Sequence, residues 1–315
     1  QTAAVFALGM CMNIVLARFS RWKYIFLTGH HALYMACLIT IILSIAGLEG
    51  WQLTLGGALL LGFVMALFPA LMQPTMQKVT GNDSLALGHF GSCCYFLSAQ
   101  IGRLVSGGKK GRSTEEVNFP QGLSFLRDNT ISIAIIMFFC YIVVAGCAQF
   151  GAGEAAAKIW GDSNWIVFSV LQSITFSAGI YIVLAGVRLL IAEIVPAFKG
   201  ISEELIPNAK PAIDCPIVFP FAPNAVLIGF LSSFVGGIVA LASLALLNQG
   251  GLAAAIILPG AVVHFFCGAT AGVCGNATGG LKGCVAGAFV HGIAVTFLAA
   301  ALLPVLGTLG FANTT

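Results

Sequence analysis

The stretch PNAVLIGFLSSFVGGIVALASLALL, residues 223–247, runs for 25 residues without a charged side chain. A helix of about 20 apolar residues is long enough to cross the hydrocarbon core of a bilayer. In a helix every backbone polar group finds its partner within the segment, which a membrane interior requires of any chain that spans it. The stretch therefore predicts a transmembrane helix.

Further apolar runs of similar length lie on both sides of this stretch. They are residues 2–17, 25–46, 52–72, 130–150, 165–187, 252–274 and 284–303. With residues 223–247 they predict about eight crossings of a bilayer. Two longer polar segments, 73–129 and 188–222, still contain apolar patches, which fit re-entrant or surface-lying helices.

The composition points to the same class of protein. Hydrophobic residues make up 59% of the 315 residues and charged residues 8%, with a mean hydropathy of +1.00. A water-soluble domain has about a quarter of its residues charged, so this composition excludes a soluble protein. The net charge of +3 is too small and too dispersed to indicate a nucleic-acid partner. We predict an all-α, polytopic membrane protein with re-entrant or broken helices.

The basic residues are distributed unevenly between the loops. If each apolar run crosses once, all of the 14 basic residues except Lys158 lie on one side of the membrane. Loops rich in Lys and Arg stay in the cytoplasm. Both long polar segments, with Lys109, Lys110 and Arg112, are therefore predicted to face the cytoplasm.

An internal repeat relates the two halves of the chain at a shift of about 190 residues. The matching positions are His31-Ala32 with Asn224-Ala225, Gly56 with Gly250, Pro69 with Pro259, and Gly81-Asn82 with Gly275-Asn276. We predict one membrane transporter domain over 1–315, with 1–187 as the remainder of a first half and 188–315 as a second-half repeat. Many carriers built from duplicated halves place their site near the bilayer midplane.

Histidines in two segments are candidates for a polar site. His30 and His31 open a long apolar run, where imidazoles are costly unless they meet polar partners or a water-filled cavity. The alternative is contact with lipid headgroups at the interface. Residues 74–92 interrupt apolar sequence and lead to His89, and a broken helix of this kind is tolerated where it lines a cavity. The alternative is an ordinary loop before a surface helix.

A single carboxylate, Asp214, lies between Pro211 and Pro216 just before an apolar segment. A charged acceptor makes stronger hydrogen bonds than a neutral one, so Asp214 is suited to bind the hydroxyl groups of a polyhydroxy ligand. The alternative is that Asp214 caps the helix that follows.

Catalytic signatures do not accompany these residues. The sequence has no H-E-x-x-H, no G-x-S-x-G and no G-x-x-x-x-G-K-[ST] phosphate loop. Its 10 cysteines form no C-x-x-C pair, and most lie in apolar runs, as small core residues do. We expect a transporter subunit without cofactor or metal, and not an enzyme.

Six longer motifs occur in order through most of the chain. They are LTGHH (27–31), QPTMQKVTG (73–81), LGHF (87–90), LRDNTISIAIIM (126–137), GVRLLIAEIVPAFKGISEELIPNAKPAIDC (186–215) and FAPNAV (221–226). In these motifs the chain resembles the ascorbate-specific IIC permeases of phosphoenolpyruvate-dependent phosphotransferase systems. The resemblance implies a homodimeric, multi-pass protein of the bacterial inner membrane with inverted repeats. It also implies that N- and C-terminal parts of such a permease are missing from this chain.

The resemblance further implies partners and a set of binding residues. Cytoplasmic IIA and IIB components would supply the phosphoryl group that traps an ascorbate-like substrate. The implied substrate-binding residues are His30, His31, Ala32, Leu33, Tyr34, His89, Phe90 and Asp214. Tyr34 and Phe90 stand where the family pattern has glutamines, each of which offers a donor and an acceptor. We therefore expect weaker recognition of ascorbate itself.

Two other functions stay open at the level of sequence. An ion-coupled secondary transporter of a small polar solute would use Asp214 and the histidines as a proton relay. An intramembrane enzyme is a more distant alternative, because it would need a metal or nucleophile constellation that these motifs lack.

The charge distribution makes a prediction about topology. A cysteine placed at Ser113 in a cysteine-free background should stay unmodified when an impermeant maleimide is added to intact cells, because the basic loop around it is cytoplasmic. The same cysteine should react once the cells are broken open. Labelling in intact cells would show that the loop faces the outside.

Overall fold

A computed structural model describes residues 1–109, 111–117, 129–152, 158–161, 163–204, 206–252 and 254–307. Its helices are α1 (Thr2–Phe19), α2 (Gly29–Ile45), α3 (Gly50–Thr80), α4 (Ser92–Val105), α5 (Asn129–Ala152), α6 (Trp165–Glu204), α7 (Pro223–Gln249), α8 (Ala261–Val263) and α9 (Ala269–Gly307). A π-helical turn, His264–Gly268, joins α8 to α9, and 3-10 turns cover Thr114–Glu116 and Cys215–Phe221. Three short strands are β1 (Tyr24–Phe26), β2 (Ala86–Leu87) and β3 (Lys210–Ile213).

Six helical segments in the described ranges are long and apolar enough to cross a membrane. They are Thr2–Phe19, Gly50–Thr80, Thr130–Gly151, Trp165–Gly200, Pro223–Gln249 and Ala261–Pro304. The prediction of an all-α, polytopic membrane protein is confirmed, and the strands add only a small non-helical element to it.

Three of the predicted crossings differ from the observed elements. The run 25–46 divides into β1 and the 17-residue helix α2, which is shorter than a typical span. Residues 261–274 of the run 252–274 and the whole run 284–303 fall in one helical segment, which Gly280 interrupts with a φ of 63°. A Cβ atom on Gly275 would collide with the carbonyl oxygen of Gly283, although eight residues of straight helix would separate them by about 12 Å. The chain therefore turns back at Gly280, and the two parts of α9 pack against each other.

For residues 74–92 the sequence left a broken helix and an ordinary loop open, and the structure places the interruption after α3 ends. The helix α3 continues through Pro69 and Pro74 and ends at Gly81, which has the left-handed φ of 75° that ends many helices. A proline removes one backbone hydrogen bond from a helix, but α3 tolerates this because both flanks of Pro74 are buried, with Met72 and Met76 fully inside the core.

Two compact units make up the chain. The first contains Gln1–Glu116 and Leu190–Thr315, where α1 packs on α3, and both α4 and α7 pack on α9. The second contains Val117–Leu189, where Ser177 Oγ on α6 donates a hydrogen bond to the Thr130 carbonyl oxygen on α5 at 2.6 Å. The candidate site residues described below all lie in the first unit.

Close packing of α7 on α9 depends on a glycine, Gly292, which has no side chain. A Cβ atom on Gly292 would collide with the carbonyl oxygen of Ser233. We expect Gly292→Ala to destabilise the protein by about 1–3 kcal/mol, because backbone cannot move aside as a side chain can. Thermal unfolding in detergent measures the loss. Gly186→Ala is the control, since nothing lies within 4 Å of the added methyl group, and an equal effect of both changes would contradict the packing argument.

Candidate functional site

The three strands form a parallel sheet in the order β1-β3-β2. Tyr24 pairs with Lys210 at one end of β1, and Leu87 pairs with Ile213 at the end of β2. The carboxyl ends of parallel strands meet at one edge, which is where open sheets of parallel strands bind ligands. The segments that follow the three strands carry the histidines and the carboxylate selected from the sequence.

Hydrogen bonds continue past the strands and hold these segments together. Leu27 N–H donates to the Ala212 carbonyl at 2.9 Å, and Gly88 N–H donates to the Ile213 carbonyl at 2.7 Å. Thr28 Oγ1 then donates to the Gly88 carbonyl at 2.6 Å. The segments after β1 and β2 are therefore fixed on either side of the segment after β3.

Three imidazoles surround the carboxylate of Asp214. Its Oδ2 lies 3.3 Å from His30 Nε2, and its Oδ1 lies 4.0 Å from His31 Nε2 and 3.9 Å from His89 Nε2. The rings of His31 and His89 are also in contact, with centroids 4.1 Å apart. The structure thus brings together side chains from three segments that are far apart in sequence.

Asp214 also caps the turn that follows it. Its Oδ1 accepts a hydrogen bond from Cys215 N–H at 2.7 Å, at the start of the 3-10 turn. The capping alternative and the site alternative are therefore compatible, since one oxygen is occupied by the backbone and Oδ2 faces His30. This bond also fixes the orientation of the carboxylate.

The protonation of His89 follows from its neighbours. Gly91 N–H donates to His89 Nδ1 at 2.8 Å, so Nδ1 carries no proton and the neutral ring is protonated on Nε2. Burial, followed by the nearby His31, His291 and His30, lowers the pKa of His89 well below its ordinary value. At neutral pH His89 thus presents an N–H donor to the site and does not form an ion pair with Asp214.

Exposure decreases stepwise across the site. The side chain of His30 is 70% exposed, those of His31 and Asp214 are 29% and 28% exposed, and that of His89 is 6% exposed. A ligand can therefore reach Asp214 past His30, while His89 forms the floor. Carboxylate oxygens and imidazole nitrogens arranged in this way can bind several hydroxyl groups at once.

Some of the same side chains could also act as metal ligands. His30, His31 and Asp214 offer two nitrogens and one oxygen within 4.8 Å of one another, a combination that suits first-row transition metals. A second such group, His89 with Asp214 and Cys215, is less suited to a metal because His89 Nε2 carries the proton.

The other predicted site residues lie elsewhere. Ala32 is fully buried in the apolar core, and Phe90 packs against that core with ring centroids 5.1 Å from Phe26 and 6.0 Å from Phe68. Leu33 and Tyr34 are 47% and 67% exposed on α2. Binding roles for these four residues stay predictions.

Sequence reasoning missed Tyr95. This tyrosine on α4 is fully buried, and its hydroxyl lies 3.1 Å from His89 Nδ1. Its hydroxyl meets His89 Nδ1, whereas Asp214 lies nearest to Nε2, so Tyr95 positions the ring from its other nitrogen. The sequence gives no signal for this role, because Tyr95 lies inside an apolar patch and meets His89 only through the fold.

Helices long and apolar enough to span a membrane, together with a partly open polar site, are features expected of a membrane permease. A sequence model of the family EIIC-GAT, described as "PTS system sugar-specific permease component", matches residues 1–315. The chain belongs to this family of phosphotransferase-system (PTS) permeases, and it is a multi-pass membrane protein. The bacterial inner membrane is the typical location of the family.

A relative with a named substrate is also similar to the chain. It is the "Ascorbate-specific PTS system EIIC component" of Mycoplasma pneumoniae, 27% identical over 311 residues that cover 87% of this chain and 47% of the relative. The chain thus spans about half the length of this relative. The resemblance noted in the sequence to ascorbate-type permeases is confirmed at the level of the family.

Substitution by Gln should affect stability strongly at Phe90 and only slightly at Tyr34. Phe90→Gln should destabilise the protein by about 3 kcal/mol or more, because it removes a packed ring and places an amide among apolar groups. Tyr34→Gln on the exposed face of α2 should change the thermal midpoint little. Thermal unfolding of the two variants makes the comparison. A stable Phe90→Gln protein would show that position 90 can face a polar site.

Proposed function

We propose that the protein is the membrane-embedded IIC permease of a phosphotransferase system. It moves ascorbate or a related small polyhydroxy substrate across the inner membrane, and a IIB partner phosphorylates the substrate on arrival. The observation that carries this proposal is the carboxylate of Asp214 surrounded by His30, His31 and His89 at the carboxyl edge of the sheet. Membership of the PTS permease family supports it.

The site chemistry fits a ligand rich in hydroxyl groups. Asp214 Oδ2 can accept a hydrogen bond from a ligand hydroxyl, and a charged acceptor makes the stronger bond. His89 Nε2–H donates to a ligand oxygen, and each imidazole of His30 and His31 can donate or accept according to its tautomer. A ligand with neighbouring hydroxyls satisfies several of these groups at once, whereas an apolar ligand leaves them unpaired at a cost of about 1–3 kcal/mol each.

The partners follow from the same assignment. In a phosphotransferase system the permease carries no phosphoryl-transfer chemistry of its own, so IIA and IIB components supply it. We expect the permease to act as a homodimer. The name of the relative favours ascorbate, and related sugar acids and pentitols belong in the same substrate test.

Asp214→Asn tests the carboxylate directly. The amide keeps the shape of the side chain but loses the charged acceptor, which costs about 1.5–3 kcal/mol for one charge-assisted hydrogen bond. We expect the affinity for the transported substrate to fall by about 10- to 100-fold. Isothermal titration of purified protein and uptake in cells measure the loss. Glu49→Gln is the control, because Glu49 is an exposed carboxylate at the start of α3. Unchanged affinity in Asp214→Asn, at normal expression, would show that Asp214 does not bind the substrate.

Uptake assays separate the proposal from its competitors. Labelled ascorbate should accumulate in cells as a phosphorylated product only when IIA and IIB are present. Accumulation of unmodified substrate that collapses with the proton gradient would identify the ion-coupled transporter instead.

Loss of substrate binding to purified protein in EDTA, restored by a divalent metal, would show that the His30, His31 and Asp214 group acts through a metal.

A further inference from the structure

A second feature with charged side chains lies at the end of α4 and beside the turn of α9 at Gly280. It is a cavity of about 380 Å³, here called the basic pocket. Lys109, Arg112 and Lys282 line it together with the apolar Val105 and Leu281. None of these residues belongs to the site around Asp214.

The basic pocket is built from two chain segments that are tied together. Leu281 N–H, just after the turn at Gly280, donates to the carbonyl oxygen of Arg112 at 2.8 Å. The Arg112 guanidinium donates in turn to the backbone carbonyl of Glu116. The first bond holds the backbone of Arg112 next to Leu281, so that Arg112 and Lys282 line the same cavity.

The three basic side chains of the basic pocket have no acidic partner within 4.0 Å in the described part of the chain. Within those residues the ion pairs closer than 4.0 Å involve Asp214 or Asp83, and none includes Lys109, Arg112 or Lys282. Three cations around one cavity repel each other. An anion in the cavity would relieve that repulsion and accept charge-assisted hydrogen bonds.

Apolar surface next to the cations indicates the kind of anion. Leu104 is 80% exposed, and Val105 and Val285 are each 43% exposed. Val285 follows Lys282 by three residues, so both lie on the same face of α9. A soluble phosphate would gain nothing from this surface. A phospholipid would place its headgroup among the cations and its acyl chains along Leu104, Val105 and Val285.

We propose that the basic pocket binds the headgroup of an anionic phospholipid. The lipid phosphate contacts Lys109, Arg112 and Lys282, and the acyl chains cover the neighbouring apolar residues. Anionic lipids attract basic residues that lie near a membrane surface, which fits the proposal. This inference goes beyond transport and does not depend on the identity of the substrate.

Thermal unfolding in a neutral detergent tests the proposal. Titrated phosphatidylglycerol should raise the midpoint in a saturable way, whereas phosphatidylcholine and inorganic phosphate should not. The triple variant Lys109→Gln, Arg112→Gln, Lys282→Gln should weaken the apparent affinity for phosphatidylglycerol about 100-fold, at about fivefold for each charge removed. The control variant Arg18→Gln, Arg21→Gln, Lys23→Gln removes the same charge from the end of α1 and the segment after it, and should keep the affinity within about twofold of the unmodified protein.

Four results would overturn the proposal. They are an equal midpoint shift with phosphatidylcholine, an equal loss of affinity in the control variant, an unchanged affinity in the triple variant, and a shift with inorganic phosphate that the triple variant abolishes. The last result would identify a soluble phosphoryl ligand. If the triple variant does not fold, Lys282→Gln and Lys282→Arg replace it. The proposal then requires about a fivefold loss in the first and a retained affinity in the second.

Discussion

The strand β3 is hydrogen-bonded on both of its edges, to β1 and to β2, and the candidate site depends on these bonds. Non-helical backbone at membrane depth is stable only where its polar groups are satisfied within the protein. The three strands satisfy one another, so the chain can leave its helical form at three places without a large penalty. Each of these places then delivers a polar side chain to the same edge.

Glu115 and Asp214 each lie next to the start of a helix, with different consequences. Glu115 accepts hydrogen bonds from Asn224 N–H at 3.0 Å and Ala225 N–H at 3.1 Å at the start of α7. Burial raises the pKa of Glu115, although these bonds act in the opposite direction. Asp214 instead uses one oxygen for its own turn and directs the other to His30 at the start of α2. Glu115 therefore has a structural role at the start of α7, whereas Asp214 keeps one oxygen free to accept a hydrogen bond from a ligand.

The sequence identified the apolar helices because a bilayer demands length and low charge, which are visible residue by residue. It also identified His30, His31, His89 and Asp214, since each interrupts apolar sequence. It could not predict their convergence, because strands of two to four residues have no recognisable pattern and their pairing is set by the fold. Adjacent residues also separate in space. His89 faces the site whereas Phe90 enters the core, and a motif alone does not distinguish the two.

An ion pair holds the end of β3 that lies opposite the site. The Lys210 ammonium contacts the carboxylate of Asp83, which also accepts hydrogen bonds from Gln73 and Gln77. Burial raises the pKa of Asp83, but the bonds from Lys210, Gln77 and Gln73 outweigh it and hold the pKa below its ordinary value. Asp83 is therefore ionised at neutral pH. A strand fixed at its first residue presents Asp214 in a defined position before a ligand arrives, and such preorganisation lowers the entropy that binding costs.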